Sequence, residues 1–336
     1  MTSNKLHFLA TQRIDRFAHE QLNPIYPLIE AEKDDCKTLT RMVKGAVGII
    51  TRGLAWIGSD IMDAGPDLLF ISRTGHGYEN VDIDAATARG IPVIYAPLLG
   101  YAVAEGTMAI LLALTKRLFY FHDAVVAGNW NVRVTERTED LSGRRMGIVG
   151  LGRIGQEVAK RAAPFEMELV AHDPYIPKEI ARDLNVTLLS LDELLGTSDV
   201  ITIHAVSTSE TDALINRSNL DKVKRGAYFM NFARGQLVED LDILHEALED
   251  GRLAGVGLDV FPEEPPSDID HPLFKHPNFV CSPHVIGSTR GAERRCYQSI
   301  CKDVKKVLNG EQPEWCVNPE VFDSPNLRKP GDSDVG

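Results

Sequence analysis

Ten residues near the middle of the chain, MGIVGLGRIG at 146–155, constrain the fold more than any other segment. The apolar run 146–149 predicts a buried strand, Gly150, Gly152 and Gly155 follow in GxGxxG spacing, and QEVAKRAAPF predicts a helix. Each glycine answers a separate demand. Gly150 permits a sharp turn, Gly152 leaves no Cβ in the path of a pyrophosphate, and Gly155 lets the helix lie close on the strand. Phosphate charge then meets the free N–H groups of the helix N-terminus. A bare GxGxxG is weak, but the next apolar run, 169–171, ends in His172-Asp173, about 20 residues on, where a carboxylate can accept hydrogen bonds from an adenosine ribose. The combination of strand, turn, helix and acid points to a bound dinucleotide.

Short apolar runs alternate with helical patterns along most of the chain, the pattern of βαβ units in a parallel sheet. Strands are expected at 6–9, 47–51, 68–72 and 93–95, and again from Met146 through 169–171, 200–203, 228–231, 256–260 and 279–281. Between the two series lies AVAEGTMAILLALTKRL, expected as one helix crossing between domains. A final helix is expected over 292–308, followed by the irregular EQPEWCVNPEVF and a disordered Pro, Gly and Asp-rich end. A fingerprint so far along the chain implies a dinucleotide domain, 101–288, inserted into a split domain made of 1–100 and 289–336.

Composition narrows the partners. The chain has 336 residues, 43% of them hydrophobic, enough for about two domains. Its net charge of −12 argues against nucleic acid and anionic membranes, which offer no compensating positive charge. Five cysteines without a CxxC pair predict packing residues, no metal site and a reducing compartment; no signal peptide is expected, so the cytoplasm is the predicted location. The apolar segment 102–121 contains Glu105, Lys116 and Arg117, which favours a buried helix over a membrane span.

In open α/β sheets, ligands bind beyond the carboxyl ends of the strands. In the second series those positions hold Asp173, His204, Arg234 in NFARG, Asp259 with Glu263 and Glu264 beyond it, and His284 in SPHVIGST. Singly, such an arginine or histidine is more often structural. Together they match a reaction. Hydride transfer to a ketone creates an oxyanion that must receive a proton, and an imidazole, which titrates near ~6.5 when unperturbed, is suited to give it. A carboxylate beside it fixes its orientation, and a guanidinium grips a substrate carboxylate through forked hydrogen bonds. Sequence order leaves open which histidine and which glutamate serve. In the first series, RTGHGYENVD places Gly75, His76 and Gly77 in a loop able to present backbone N–H groups to an anion, with a helix starting near Val81; Arg52 and Arg73 add positive charge.

With these residues in view, the chain resembles the NAD-dependent D-2-hydroxyacid dehydrogenases. The resemblance runs from RTGHGYENVDIDAATARGIPV through AVAEGTMAILLAL, LSGRRMGIVGLGRIG, HDPY, NFARGQLV and AGVGLDVFPEEPP to SPHVIGST and VNPE, in order. It implies an α/β fold in which a Rossmann doubly wound parallel sheet is inserted into a second, flavodoxin-like α/β substrate domain, usually in a homodimer built through the long helix. It implies Arg234 as the substrate-gripping arginine, His284 as proton donor and Glu264, five residues past Asp259, as its partner. It places NAD against Thr107, Gly150, Gly152, Arg153, Ile154, Gly155, Asp173, His204, Ala205, Val206, Thr211, Phe232, Ala233, Asp259 and Gly287. The substrate is expected at Arg52, Gly75, His76, Gly77, Arg234 and His284. Asp173 favours NADH over NADPH, because its charge repels a 2′-phosphate.

Three departures stand out against that family. HAVST carries Val206 where proline is usual, the loop APLLGYAVAE is one residue short, and His76 replaces a small or apolar residue. The expected activity is interconversion of a small 2-oxo acid and a D-2-hydroxy acid. The alternatives are an NAD-sensing protein resembling the family's corepressors, and a dehydrogenase of a different small anion; the carboxylate of Glu264 argues against formate oxidation, where the family carries an amide.

Overall fold

The computed structural model describes residues 5–53, 55–75 and 77–329, which fall into two compact units. One consists of the chain up to Leu99 and from Thr289 onward; the other is Gly100–Ser288.

The first unit holds five parallel strands, β1 (His7–Ala10), β2 (Leu28–Glu30), β3 (Ala46–Thr51), β4 (Phe70–Arg73) and β5 (Val93–Tyr95), in the order β2-β1-β3-β4-β5. That order is the flavodoxin-like one. Because successive side chains alternate, Phe8, Ile50 and Phe70 enter one core while Leu9, Ile49 and Ile71 enter another on the opposite face. The helix Arg290–Leu308 supplies Tyr297, Ile300 and Val304 to the first of these cores, and Thr289 caps its start by accepting the Ala292 N–H at 3.1 Å. Each such side chain fully buried stabilises the unit by roughly 1.5–3 kcal/mol. The segment expected to be irregular is ordered at 315–318. Tyr95 N–H donates to Trp315 O, Val317 N–H donates to Val93 O, and the buried Asn318 accepts the Val93 N–H at 2.8 Å. A 3-10 helix, Pro319–Asp323, follows, and the end expected to be disordered is instead tied down at Arg328, whose N–H donates to Gly90 O at 3.1 Å and whose guanidinium donates to Gly65 O at 2.9 Å; residues 330–336 lie outside the described residues.

The second unit holds β6 (Arg145–Val149), β7 (Glu168–His172), β8 (Thr187–Leu188), β9 (Val200–Ile203), β10 (Ala227–Asn231), β11 (Leu253–Leu258) and β12 (Phe279–Cys281). All are parallel, in the order β12-β11-β10-β9-β6-β7-β8, the doubly wound arrangement whose direction reverses between β6 and β9. The single helix expected over 102–118 is two, Gly100–Thr115 and Leu118–Val126, parted at Arg117. Arg117 takes a left-handed φ of 50°, with its guanidinium paired to Glu136 and 4.1 Å from the Tyr120 ring centre. Strands β2 and β8 were not expected; each is an edge strand of two or three residues, too short to show a period.

Of the cysteines, Cys296 and Cys301 are buried as expected of packing residues, whereas Cys36 and Cys281 are exposed. Among the described residues, no helix is long and apolar enough to cross a membrane.

Candidate active site

Parallel strands leave all their carboxyl ends on one edge, and in the second unit that edge reads His284, Asp259, Arg234, His204, Gly150 and Asp173 across β12, β11, β10, β9, β6 and β7. The glycine turn fits a dinucleotide. Gly150 has a φ of 91°, and a Cβ there would lie 2.6 Å from Ala205 N; a Cβ on Gly155 would lie 2.2 Å from Gly150 O. A Cβ on Gly152, by contrast, meets nothing within 4 Å, so the N-terminus of the helix Arg153–Ala162 opens onto free space large enough for phosphate oxygens. Ile154 lies in the first turn of that helix beside Arg153.

Asp173 braces this turn from the β7 side. Its Oδ2 accepts the Leu151 N–H at 2.9 Å, while Oδ1 accepts the N–H groups of Tyr175 and Ile176 at 3.0 and 3.1 Å. A carboxylate has about four acceptor positions, so capacity remains for a ribose hydroxyl.

On the β9 side, His204 is buried. Its Nε2 lies 2.9 Å from Thr202 Oγ1, its ring stacks on Phe232 with centres 6.3 Å apart, and burial pushes its pKa down to about 3. A ring that stays neutral at ordinary pH is poorly suited to donate a proton. Ala205 begins the loop against Gly150, Val206 is 74% exposed, and Thr211 Oγ1 donates to Val206 O at 2.6 Å, closing the loop.

Past β10, the buried Asn231 shapes the arginine turn: its Oδ1 accepts the Ala233 N–H at 3.1 Å and its Nδ2 donates to Arg234 O at 2.8 Å. Phe232 and Ala233 are buried, and Arg234 Nη1 donates to Ala233 O at 2.8 Å. Two residues on, Gln236 Nε2 reaches Pro262 O at 3.1 Å, tying the arginine turn to the segment that carries Glu264.

Past β11, Asp259 is 2% exposed and holds the histidine loop together. Its carboxylate accepts the Ser282 hydroxyl at 2.5 Å and the Val285 and Ile286 N–H groups at 3.0 and 3.2 Å, and its backbone carbonyl accepts the His284 N–H at 2.9 Å. Burial pushes the Asp259 pKa up against the opposing pull of those donors and of His284. His284 itself takes a left-handed φ of 53°, a conformation that a side chain rarely adopts without such anchoring. Its Nδ1 lies 2.7 Å from Glu264 Oε2, and Glu264 Oε1 accepts the Phe261 N–H at 3.1 Å. With Nδ1 engaged, Nε2 is the nitrogen left for a ligand. Gly287 lies in the turn closed by the Ser288 N–H on Val285 O.

Other expected residues have different surroundings. Thr107 is completely buried, and its hydroxyl donates to Val103 O one helical turn earlier. In the first unit, Arg52 pairs with Glu293 at 2.5 Å rather than standing free for an anion. Arg73 is held by Asn80 and Thr74, Gly75 has a φ of 126°, Gly77 is half-buried, and His76 lies outside the described residues. The helix after this loop starts at Ile83, capped by Asp82. Asn231 and Gly106, whose absent Cβ would lie 2.0 Å from Ile286 Cγ1, were not anticipated; a lone polar residue ending an apolar run and a glycine within a helix were their only signals.

The family model of the D-isomer specific 2-hydroxyacid dehydrogenase NAD binding domain matches residues 108–285. A glyoxylate reductase of Thermofilum pendens is 38% identical over 278 residues, 81% of each chain. The chain belongs to the D-isomer-specific 2-hydroxyacid dehydrogenase family. A D-3-phosphoglycerate dehydrogenase of Archaeoglobus fulgidus is 38% identical over 281 residues, 83% of this chain but 53% of that one; the chain spans about half the length of such relatives. A solved D-lactate dehydrogenase of Aquifex aeolicus, complexed with NAD and lactic acid, superposes with a TM-score of 0.80 at 28% identity, covering 91% of this chain and 96% of that one. The second unit thus carries the family's NAD-binding domain, and its open glycine turn suits that cofactor.

Proposed function

We propose that the chain is an oxidoreductase that interconverts a small 2-oxo acid and the corresponding D-2-hydroxy acid, with NADH preferred over NADPH. The observation that carries this reading is the 2.7 Å contact between His284 Nδ1 and Glu264 Oε2 on the same sheet edge as the open glycine turn. NADH supplies the hydride when bound. Arg234 grips the substrate carboxylate and polarises its carbonyl, and His284 gives a proton from Nε2 to the oxygen that becomes the hydroxyl. Glu264 fixes the imidazole, and Asp259 holds the loop on which it rides. The amides at Gly75 and Gly77 are assigned to the substrate carboxylate, and Arg52 to substrate binding if its pair with Glu293 opens.

We assign a second copy of the chain to the apolar surface of the helix Leu118–Val126. Phe119, Val126, Trp130 and Val134 are 58–75% exposed there, beside a cavity of about 460 Å³ lined by Phe121, Val125, Trp130 and Val132. A surface of that kind favours burial in a homodimer.

The test is NADH oxidation by the purified chain with glyoxylate, hydroxypyruvate, pyruvate and phenylpyruvate, beside His284→Ala, with light scattering for the dimer. Turnover lost in the variant supports the assignment. NADH binding without turnover of any 2-oxo acid overturns it in favour of a sensor.

A further inference from the structure

Strand β6 lies between β7 and β9, so the loops that follow β7 and β9 flank the glycine turn on its two sides. One hydrogen bond joins those flanks: Tyr175 Oη donates to Glu210 Oε2 at 2.6 Å. The bond spans from one neighbour of β6 to the other, past the end of the strand that carries Gly150.

Both ends of this clasp are built into the site. Tyr175 follows Asp173 by two residues and donates its N–H to Asp173 Oδ1 at 3.0 Å, so the ring is anchored on the carboxylate expected at the adenosine ribose. Glu210 stands in a loop that begins against Gly150 and is locked by threonines. Thr211 Oγ1 donates to Val206 O at 2.6 Å and accepts the Thr208 N–H at 2.8 Å, while the Glu210 N–H donates to Thr208 Oγ1 at 3.3 Å. Glu210 in turn pushes the Tyr175 pKa up, through the hydrogen bond and then its charge, which keeps the phenol a donor. A glutamate so held has fewer orientations than a free surface side chain, and its charge lies one tyrosine side chain away from that of Asp173.

We propose that Glu210, positioned by Tyr175, is a second specificity determinant that closes the adenosine side of the dinucleotide site against a 2′-phosphate. The inference rests on the dinucleotide reading of the second unit and extends it to residues outside the fingerprint. A 2′-phosphate at the ribose brings about two negative charges toward both carboxylates. Repulsion between exposed like charges acts within a Debye length, about 10 Å at 0.1 M salt, and fades as salt rises.

The experiment measures the dissociation constants of NADH and NADPH by fluorescence, without substrate, for the wild-type chain, Glu210→Gln and Tyr175→Phe at low and high salt. Glu210→Gln keeps the hydrogen bond and removes the charge. It is expected to lower the ratio of the NADPH constant to the NADH constant by about threefold or more at low ionic strength, and by less at ~1 M salt. Tyr175→Phe keeps the charge but frees it, and is expected to move the ratio the same way by a smaller factor. A ratio unchanged in Glu210→Gln, including one in which both nucleotides weaken equally, overturns the proposal. A wild-type chain that binds neither nucleotide overturns the dinucleotide reading, and this inference falls with it. Tyr175 is 79% exposed and Glu210 lies on the surface, so folding of the variants is not at stake; circular dichroism confirms it.

Discussion

Glu264 holds His284 from one carboxylate oxygen, at 2.7 Å, and the Phe261 amide from the other, at 3.1 Å. The second bond makes the first a fixed one, since the carboxylate cannot swing away from the imidazole without abandoning a backbone donor. General acid–base groups contribute about 10²–10⁴-fold to rate, so His284→Ala should lose kcat by that order. Glu264→Gln replaces one carboxylate oxygen by an NH2 group, so the side chain can no longer accept from both the imidazole and the Phe261 amide. It should lower kcat by about tenfold or more, with NADH affinity changed little. A kcat equal to that of the wild type removes Glu264 from the positioning of His284.

Arg234 lies beyond β10 on a turn braced by Asn231, which fixes the direction in which its guanidinium leaves the backbone. A planar fork binds a carboxylate at two points, and a lysine ammonium does not. Arg234→Lys should therefore raise KM for the 2-oxo acid by about tenfold, the equivalent of 1.4 kcal/mol, with the dissociation constant for NADH preserved. Equal loss in KM and in NADH binding would point instead to a collapsed turn.

Burial depresses the pKa of His204 from 6.5 to about 3, which ties stability to pH with a definite sign. Between those values the unfolded chain binds the proton that the folded chain refuses, so this residue makes stability fall as pH drops below 6.5 and contributes nothing to the slope above it. At pH 5 the loss is on the order of 2 kcal/mol relative to pH 7.5, from 1.36 kcal/mol per unit. Urea unfolding at both pH values, for the wild-type chain and His204→Gln, checks it through the difference between the two pH effects. If the variant loses as much stability on acidification as the wild type, His204 is not the group responsible.

The strands that carry the site were legible because each is an apolar run closed by a polar residue: Asp173, His204, Arg234 and His284 all stand just past such a run. What escaped depends on contacts between distant segments. Arg52 reads as an available cation until Glu293, far along the chain, is folded against it. Nothing in LLALTKRLFYF marks a helix break, because no glycine or proline is present; Arg117 turns left-handed where Glu136 and Tyr120 receive its side chain. Asp259 is expected as a cofactor contact; that its oxygens also accept the N–H groups of 285 and 286 is a geometry that no local pattern encodes. Short edge strands escaped for a simpler reason, since two residues carry no period.

Gly106 shows how closely the helix Gly100–Thr115 approaches the histidine loop, for a Cβ there would lie 2.0 Å from Ile286 Cγ1 and 2.7 Å from its Cδ1. Ile286 donates its N–H to Asp259 at 3.2 Å, so displacing it disturbs the anchor of His284. Gly106→Ala gains up to about 1 kcal/mol of helix propensity. Overpacking costs roughly 1–3 kcal/mol, and it should win because the clash falls near the branched root of the isoleucine and not at a free end. The variant is expected to unfold at lower urea concentration and to turn over more slowly. Trimming the opposing side chain supplies the decisive control: Ile286→Ala in the same chain should restore part of both losses. If the double variant is as impaired as the sum of the two single ones, the two residues do not act through this contact.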